Sequence, residues 1–198
     1  METDSALLMA AKKMDKDALV RIFDMYSAPL FSYAFHLCGD RVLADHIVGD
    51  VFAKLLEQLA AGNGPEENLR SYLYQTAYHR MIDEVRYSRR RVPLDVTDWL
   101  HQVADSAALP LDDRILFRQT LNAIRDELTD DQRHVIVLRF LEGCSLRETA
   151  AILGKRLEHV KVIQSRALAV LRRTFEYRSW RKAVPAPAVA GVSNSVSA

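Results

Sequence analysis

SLRETAAILGKRLEHVKVIQSRALAVLRR, residues 145–173, decides the fold of the second half of the chain. Ser145 followed three residues later by Glu148 has the spacing of a capping box, so a helix starts here. Ala150, Ile152 and Leu153 supply its packing residues, and Gly154 suits a left-handed helix end. After a short turn a second helix is expected from about Leu157, with Val160, Ile163, Ala167, Val170 and Leu171 on one face. The opposite face carries Glu158, Lys161, Val162, Ser165 and Arg172, flanked by Arg166 and Arg173. This is a helix-turn-helix pattern with a basic outer surface. Such a second helix can enter a major groove. Leu157, Glu158, Lys161, Val162 and Ser165 would then reach base edges, while Arg156, Arg166, Arg172 and Arg173 grip phosphates. Ser145 and His159 complete the candidate contacts on this side. An ordinary helical hairpin with solvated arginines is the competing reading.

Upstream, LRSYLYQTAYHRMIDEVRYSRRR at 69–91 interleaves four of the seven tyrosines with arginines. Aromatic rings stack on exposed bases and guanidinium groups track a backbone, which suits opened single-stranded DNA. Leu73, Ala77, Met81 and Val85 can still pack inward, and Tyr72 and Tyr74 are as compatible with a core as with a ligand. Earlier still, Val42 to Leu59 has one apolar stripe of Ile47, Val48, Val51, Phe52, Leu55, Leu56 and Leu59. Its outer face, with Asp45, His46, Gly49, Asp50, Ala53 and Glu57, is acidic. That face is unsuited to DNA and suited to a basic or helical protein partner, or is simply solvated.

The charge of the 198 residues is only +1 in total but alternates strongly. Residues 1–69 are net −5, residues 70–91 net +4, residues 92–131 net −6 and residues 132–198 net +8. The basic zones coincide with the two DNA-directed patterns, where cations can neutralise phosphates. With 7 Gly and 6 Pro the chain is poor in turn formers, which argues against sandwiches and barrels. An all-α chain of two small helical domains joined by an acidic linker is expected. Asp15 to Tyr26 reads as a helix, with a break and restart at Ser27 and Pro29 and a stop at Cys38-Gly39-Asp40. The expected boundaries are an N-terminal extension at 1–14, a first domain at 15–91, the proline-bracketed linker at 92–111, the helix-turn-helix domain at 112–180 and a low-complexity, disordered tail at 181–198.

At this point the residues carry a family resemblance. Gly39-Asp40, Ala44-Asp45, Val48 and Asp50-Val51-Phe52, then Tyr72-Leu73-Tyr74, Ala77, Asp83 and Arg86, then Leu128, Leu138, Gly143, Ser145, Glu148, Ala150, Leu153-Gly154, Val160-Lys161, Arg166-Ala167 and Leu171-Arg172 resemble, in order and separation, a bacterial RNA polymerase sigma factor of the extracytoplasmic-function (ECF) type. The resemblance implies that Asp45, His46, Gly49, Asp50, Phe52 and Ala53 dock on core polymerase. It implies that Tyr72, Tyr78, His79, Arg80, Asp83, Arg86, Arg89 and Arg90 read and melt the −10 element. The helix-turn-helix would read the −35 duplex, and the acidic linker would lie in positive channels of the polymerase. Core polymerase and promoter DNA are the implied partners. An anti-sigma protein is a third, because members of this family are often held inactive by one.

No catalyst is required in such a chain, and no cofactor or metal is expected. His46 and Asp50, four apart, are a weak metal signal, and there is no phosphate loop or nucleophile motif. Cys38 and Cys144 cannot make a multi-disulfide framework, and Cys144 reads as a packing residue. Without a membrane-spanning run or a secretion signal at the start, a cytoplasmic setting is expected. A stand-alone helix-turn-helix regulator is the alternative function, and a helical partner-binding protein without a DNA role is a third. The two-site reading has one structural requirement. The tyrosine segment and the helix-turn-helix must not be sealed together in a permanent interior.

Overall fold

The computed structural model describes residues 4–88 and 111–183. All regular structure in those residues is helical: α1 (Asp4–Lys12), α2 (Lys16–Cys38), α3 (Arg41–Ala60), α4 (Leu69–Ser88), α5 (Leu111–Glu127), α6 (Asp130–Ile136) with a π-helical continuation (Val137–Leu141), α7 (Leu146–Leu153) and α8 (Leu157–Ala183). Except for Leu111, which opens α5, the expected linker lies outside the described residues, as does the tail beyond Ala183.

α2 starts where Asp15 caps it, the carboxylate accepting from the Ala18 N–H at 2.9 Å. It ends at Gly39, whose φ of 71° is left-handed. Asp40 then caps α3 by accepting from the Leu43 N–H at 3.1 Å. The expected break at Pro29 is absent, and α2 runs through it. The proline removes one helical N–H, whose acceptor four residues back would be the Met25 carbonyl. Met25 lies on the exposed face, where water can take over. Meanwhile Ile22, Tyr26, Leu30, Tyr33, Ala34 and Leu37 stay buried along one stripe, which holds both halves in line.

α2, α3 and α4 pack around Ile22, Leu30, Ala44, Ile47, Val51, Leu55, Leu69, Leu73, Ala77 and Met81. The extension before residue 15 joins this core, since α1 buries Leu8 and Ala11. At Gly64, where the chain turns towards α4, a Cβ would stand 2.6 Å from Leu59 Cδ2, so that leucine would have to shift. Leu56, placed in the apolar stripe by its spacing, is instead exposed, one position past the buried face.

The second core gathers Ile124 of α5, Val135 to Leu138, Ile152 and Leu153 of α7, and Val160, Ile163, Ala167 and Leu171 of α8. The capping box forms as its spacing indicates. The Ser145 N–H donates to Glu148 Oε2 at 2.7 Å, and the Glu148 N–H donates to Ser145 Oγ at 3.2 Å. Cys144 is fully buried. The buried residues of the two halves form one continuous cluster, with α4 against α7 and α2 against α5 and the π-helical turn.

Candidate nucleic-acid interface

α7, the Gly154 turn and α8 build the helix-turn-helix. Gly154 takes φ 60°, and Lys155 bonds Asp131 of α6 at 3.0 Å, tying the turn to the preceding helix. Gln164 of α8 accepts from Arg139 Nε of the π-turn at 3.0 Å, which fixes the roll of the second helix. Arg156, Glu158, His159, Lys161, Val162, Ser165 and Arg166 are all exposed, as is Ser145. Lys161 pairs with Glu158 at 2.9 Å, whereas Arg156 and Arg166 have no ion-pair partner among the described residues. Leu157 departs from expectation. It is half-buried, packed on the core, and so helps to seat the helix.

On the first core, Tyr72, His79, Arg80 and Asp83 line one cleft of about 430 Å³ with Lys54 and Gln58 of α3 and with Gln75 and Thr76. Those last four were not singled out from sequence. The signal was available for Gln75 and Thr76, because they share the helical face of Tyr72, His79 and Asp83. Tyr78 is the exception among the −10 candidates. It is only 6 % exposed and points away from the cleft, its ring edge-on to His134 at 4.8 Å between centroids. Around the helix it lies about 120° from Tyr72 and about 160° from Thr76, on the inward stripe with Tyr74 and Met81. Arg86 falls on the last turn of α4, and Arg89 and Arg90 lie outside the described residues.

The acidic face of α3 stands beside this cleft. Asp45, His46, Gly49, Asp50 and Ala53 are exposed as expected. Phe52 is not: at 9 % exposure it meets the Phe23 ring at 4.8 Å and belongs to the α2–α3 contact. A second cleft of about 460 Å³ runs between Asp45, His46, Gly49 and Asp50 on one wall and Arg80, Asp83 and Glu84 on the other. Arg80 pairs with Asp50 across it at 3.7 Å. Two surfaces that were assigned separately therefore share Arg80 and Asp83. No group of three or more His, Cys, Asp or Glu side chains among the described residues is placed to hold a metal ion. No helix among them is long and apolar enough to cross a membrane.

The family model described as Sigma-70 region 2 matches residues 22–91, and that described as Sigma-70, region 4 matches residues 126–173. The ECF RNA polymerase sigma factor SigX of Bacillus subtilis is 32 % identical over 162 residues, covering 78 % of this chain and 82 % of the relative. The chain belongs to the ECF RNA polymerase sigma factors. BldN of Streptomyces coelicolor, also an ECF sigma factor, is 28 % identical over 182 residues, covering 87 % of this chain and 67 % of BldN. Two solved structures have the same fold. CnrH in complex with the cytosolic domain of CnrY superposes with a TM-score of 0.67 at 21 % identity, covering 88 % of this chain and 97 % of that one. The sigma factor RpoE in complex with the anti-sigma factor NepR, from Bartonella quintana, gives 0.58 at 22 % identity, covering 79 % and 95 %. The sigma reading thus stands over the stand-alone regulator.

Regions 2 and 4 of this sigma factor share one apolar cluster, and polar groups also join them. Tyr33 of α2 shares a 2.7 Å hydrogen bond with His134 Nδ1 of α6. The Glu142 carboxylate, 6 % exposed at the end of the π-turn, accepts from Tyr74 at 2.9 Å and from Ser32 at 3.2 Å, with His36 Nδ1 3.8 Å away. Arg70 donates to the Glu142 carbonyl at 2.6 Å and lies 3.7 Å from Glu148. Burial raises the Tyr33 and Tyr74 hydroxyls far above the ordinary phenol, and the Glu142 charge raises Tyr74 further. Burial drives His134 down from 6.5 to about 4. None of these contacts had a sequence signature.

Proposed function

We propose that this sigma factor divides promoter opening among three surfaces. The exposed face of α8, with Lys161, Val162, Ser165 and Arg166 and with Arg156 at the turn, reads the −35 duplex. The Tyr72–His79–Arg80–Asp83 cleft takes up the unwound −10 strand, stacking a base on Tyr72 and holding its edge with polar groups. The acidic α3 face of Asp45, His46, Asp50 and Ala53 docks on a basic or helical surface of core polymerase. No step is catalysed by this chain, and its place of work is the cytoplasm, beside the polymerase. The supporting observation is that basic groups line an exposed face of region 4 and that basic and aromatic groups line a cleft of region 2, which the acidic face adjoins. Reconstitution with core polymerase, followed by transcription from a genomic library, tests this. Defined start sites are expected, and they should be lost with Asp50→Arg at the binding step and with Tyr72→Ala at the opening step. Failure to bind core or to start any transcript overturns the assignment.

An anti-sigma protein is a further proposed partner, supported by the like-folded RpoE being seen with NepR. Such a protein would cover the α3 face or the basic face of α8. A pull-down from cells that returns polymerase subunits alone would count against it.

A further inference from the structure

Resting on the −35 reading of α8, we propose that Glu158 and Lys161 act as one unit that reads a single guanine–cytosine pair in a fixed orientation. The first observation is the ion pair itself. Lys161 Nζ stands 2.9 Å from Glu158 Oε1, with the lysine side chain 48 % and the glutamate side chain 78 % exposed. The two residues are the second and fifth of α8, which starts at Leu157. In a helix-turn-helix the N-terminal residues of the second helix are the ones that meet base edges. The roll of α8 is set by the bond between Gln164 and Arg139 and by the burial of Val160 and Ile163. The pair is therefore held on the open side of the helix.

The second observation is the charge around it. Glu158 is the sole acidic residue between Thr149 and Phe175, a stretch that holds Arg156, Lys161, Arg166, Arg172 and Arg173. A carboxylate in that setting is repelled by phosphates and works against sequence-independent binding. It gains on DNA only where a base offers a donor, and in the major groove those donors are the amino groups of cytosine and adenine. An acid in the first turn also suits the helix dipole, but that role is blind to DNA sequence.

The match of spacing and polarity then chooses among the four base pairs. In guanine–cytosine, cytosine N4 donates to guanine O6 across about 2.9 Å, the ordinary length of such a bond. The second N4 hydrogen and guanine O6 both face the major groove, with guanine N7 beside O6. An ammonium and a carboxylate 2.9 Å apart fit that edge: Lys161 donates to O6 and N7, and Glu158 accepts from N4. The reversed pair sets the ammonium against a donor and the carboxylate against two acceptors. Adenine–thymine, with adenine on the lysine side, puts thymine O4 under the carboxylate. Thymine–adenine keeps the order of acceptor then donor, yet its methyl crowds the ammonium and adenine N7 repels the carboxylate. One orientation of one pair is left as the good fit.

Selection on DNA tests the unit. Holoenzyme assembled from core polymerase and the full chain is bound to a duplex library randomised across the −35 element, and the retained DNA is sequenced. One position should favour guanine–cytosine, in one orientation, by about tenfold over the next pair. Glu158→Ala and Lys161→Ala should each cut that preference by about threefold or more at the same position. Glu158→Gln should admit adenine there, because a glutamine amide pairs with adenine N6 and N7. Circular dichroism confirms that the variants fold. A selected element without such a position, a Glu158→Ala profile equal to wild type, or Glu158 and Lys161 variants that alter different positions overturns the unit. A wild-type holoenzyme that selects no base at any position overturns the −35 reading of α8 itself, so the two failures are told apart.

Discussion

Acid should open this protein through one residue. His134 is buried between Tyr33 of α2 and Tyr78 of α4, with Asp130, Asp131 and Arg133 on its own helix and Lys155 close by. Its folded-state value is depressed from 6.5 to about 4, chiefly by burial. A depressed value means that the unfolded or open chain binds the proton more readily. The stabilisation is therefore present above pH 6.5 and drains away as the pH falls towards 4. Linkage over that window costs the closed state about 2 kcal/mol by pH 5 and about 3 kcal/mol by pH 4. The assay is urea unfolding at pH 7.5, 6.5, 5.5 and 5.0, with the imidazole followed by NMR. Other carboxylates also titrate in acid, so His134→Phe serves as the control. It fills the site with a ring that cannot protonate, and it should flatten the slope between pH 6.5 and 5 even if its stability at pH 7.5 is lower. A wild-type midpoint that does not move between pH 7.5 and 5, or a His134→Phe slope equal to wild type, would refute the reasoning.

Three further outcomes are expected. Ser145→Ala removes one arm of the capping box and should cost about 1 kcal/mol, read as a lower urea midpoint. Leu30→Ala leaves a cavity under fully buried packing and should cost about 2–5 kcal/mol, confirming that α2 is continuous through Pro29. Arg166→Ala should weaken holoenzyme binding to −35 duplex and reduce the salt slope by about 1, measured by fluorescence anisotropy from 50 to 200 mM salt.

Local rules carried most of the fold. The Ser145–Glu148 box and the Gly154 end are decided within three or four residues, so spacing alone placed them. The α8 face was legible for the same reason, because a 3.6-residue period separates Val160, Ile163 and Ala167 from Lys161, Val162 and Ser165. Pro29 was misread because a proline signals a break locally, whereas the buried stripe on either side of it acts over six turns. Phe52 and Leu56 show the period's limit. Both sit near the edge of an apolar stripe, and the neighbouring helix, which the period does not contain, decides which one is covered.

The α4 segment was half legible, and the missing half is the informative one. Tyrosines at 72, 74 and 78 looked like one population because they share a composition and a neighbourhood. Helical geometry divides them. Tyr72 faces a polar cleft, while Tyr74 and Tyr78 face a carboxylate and an imidazole from a segment some sixty residues further along the chain. No periodicity can announce a partner at that separation. Glu142 and His134 are therefore invisible until α4 is laid against α7.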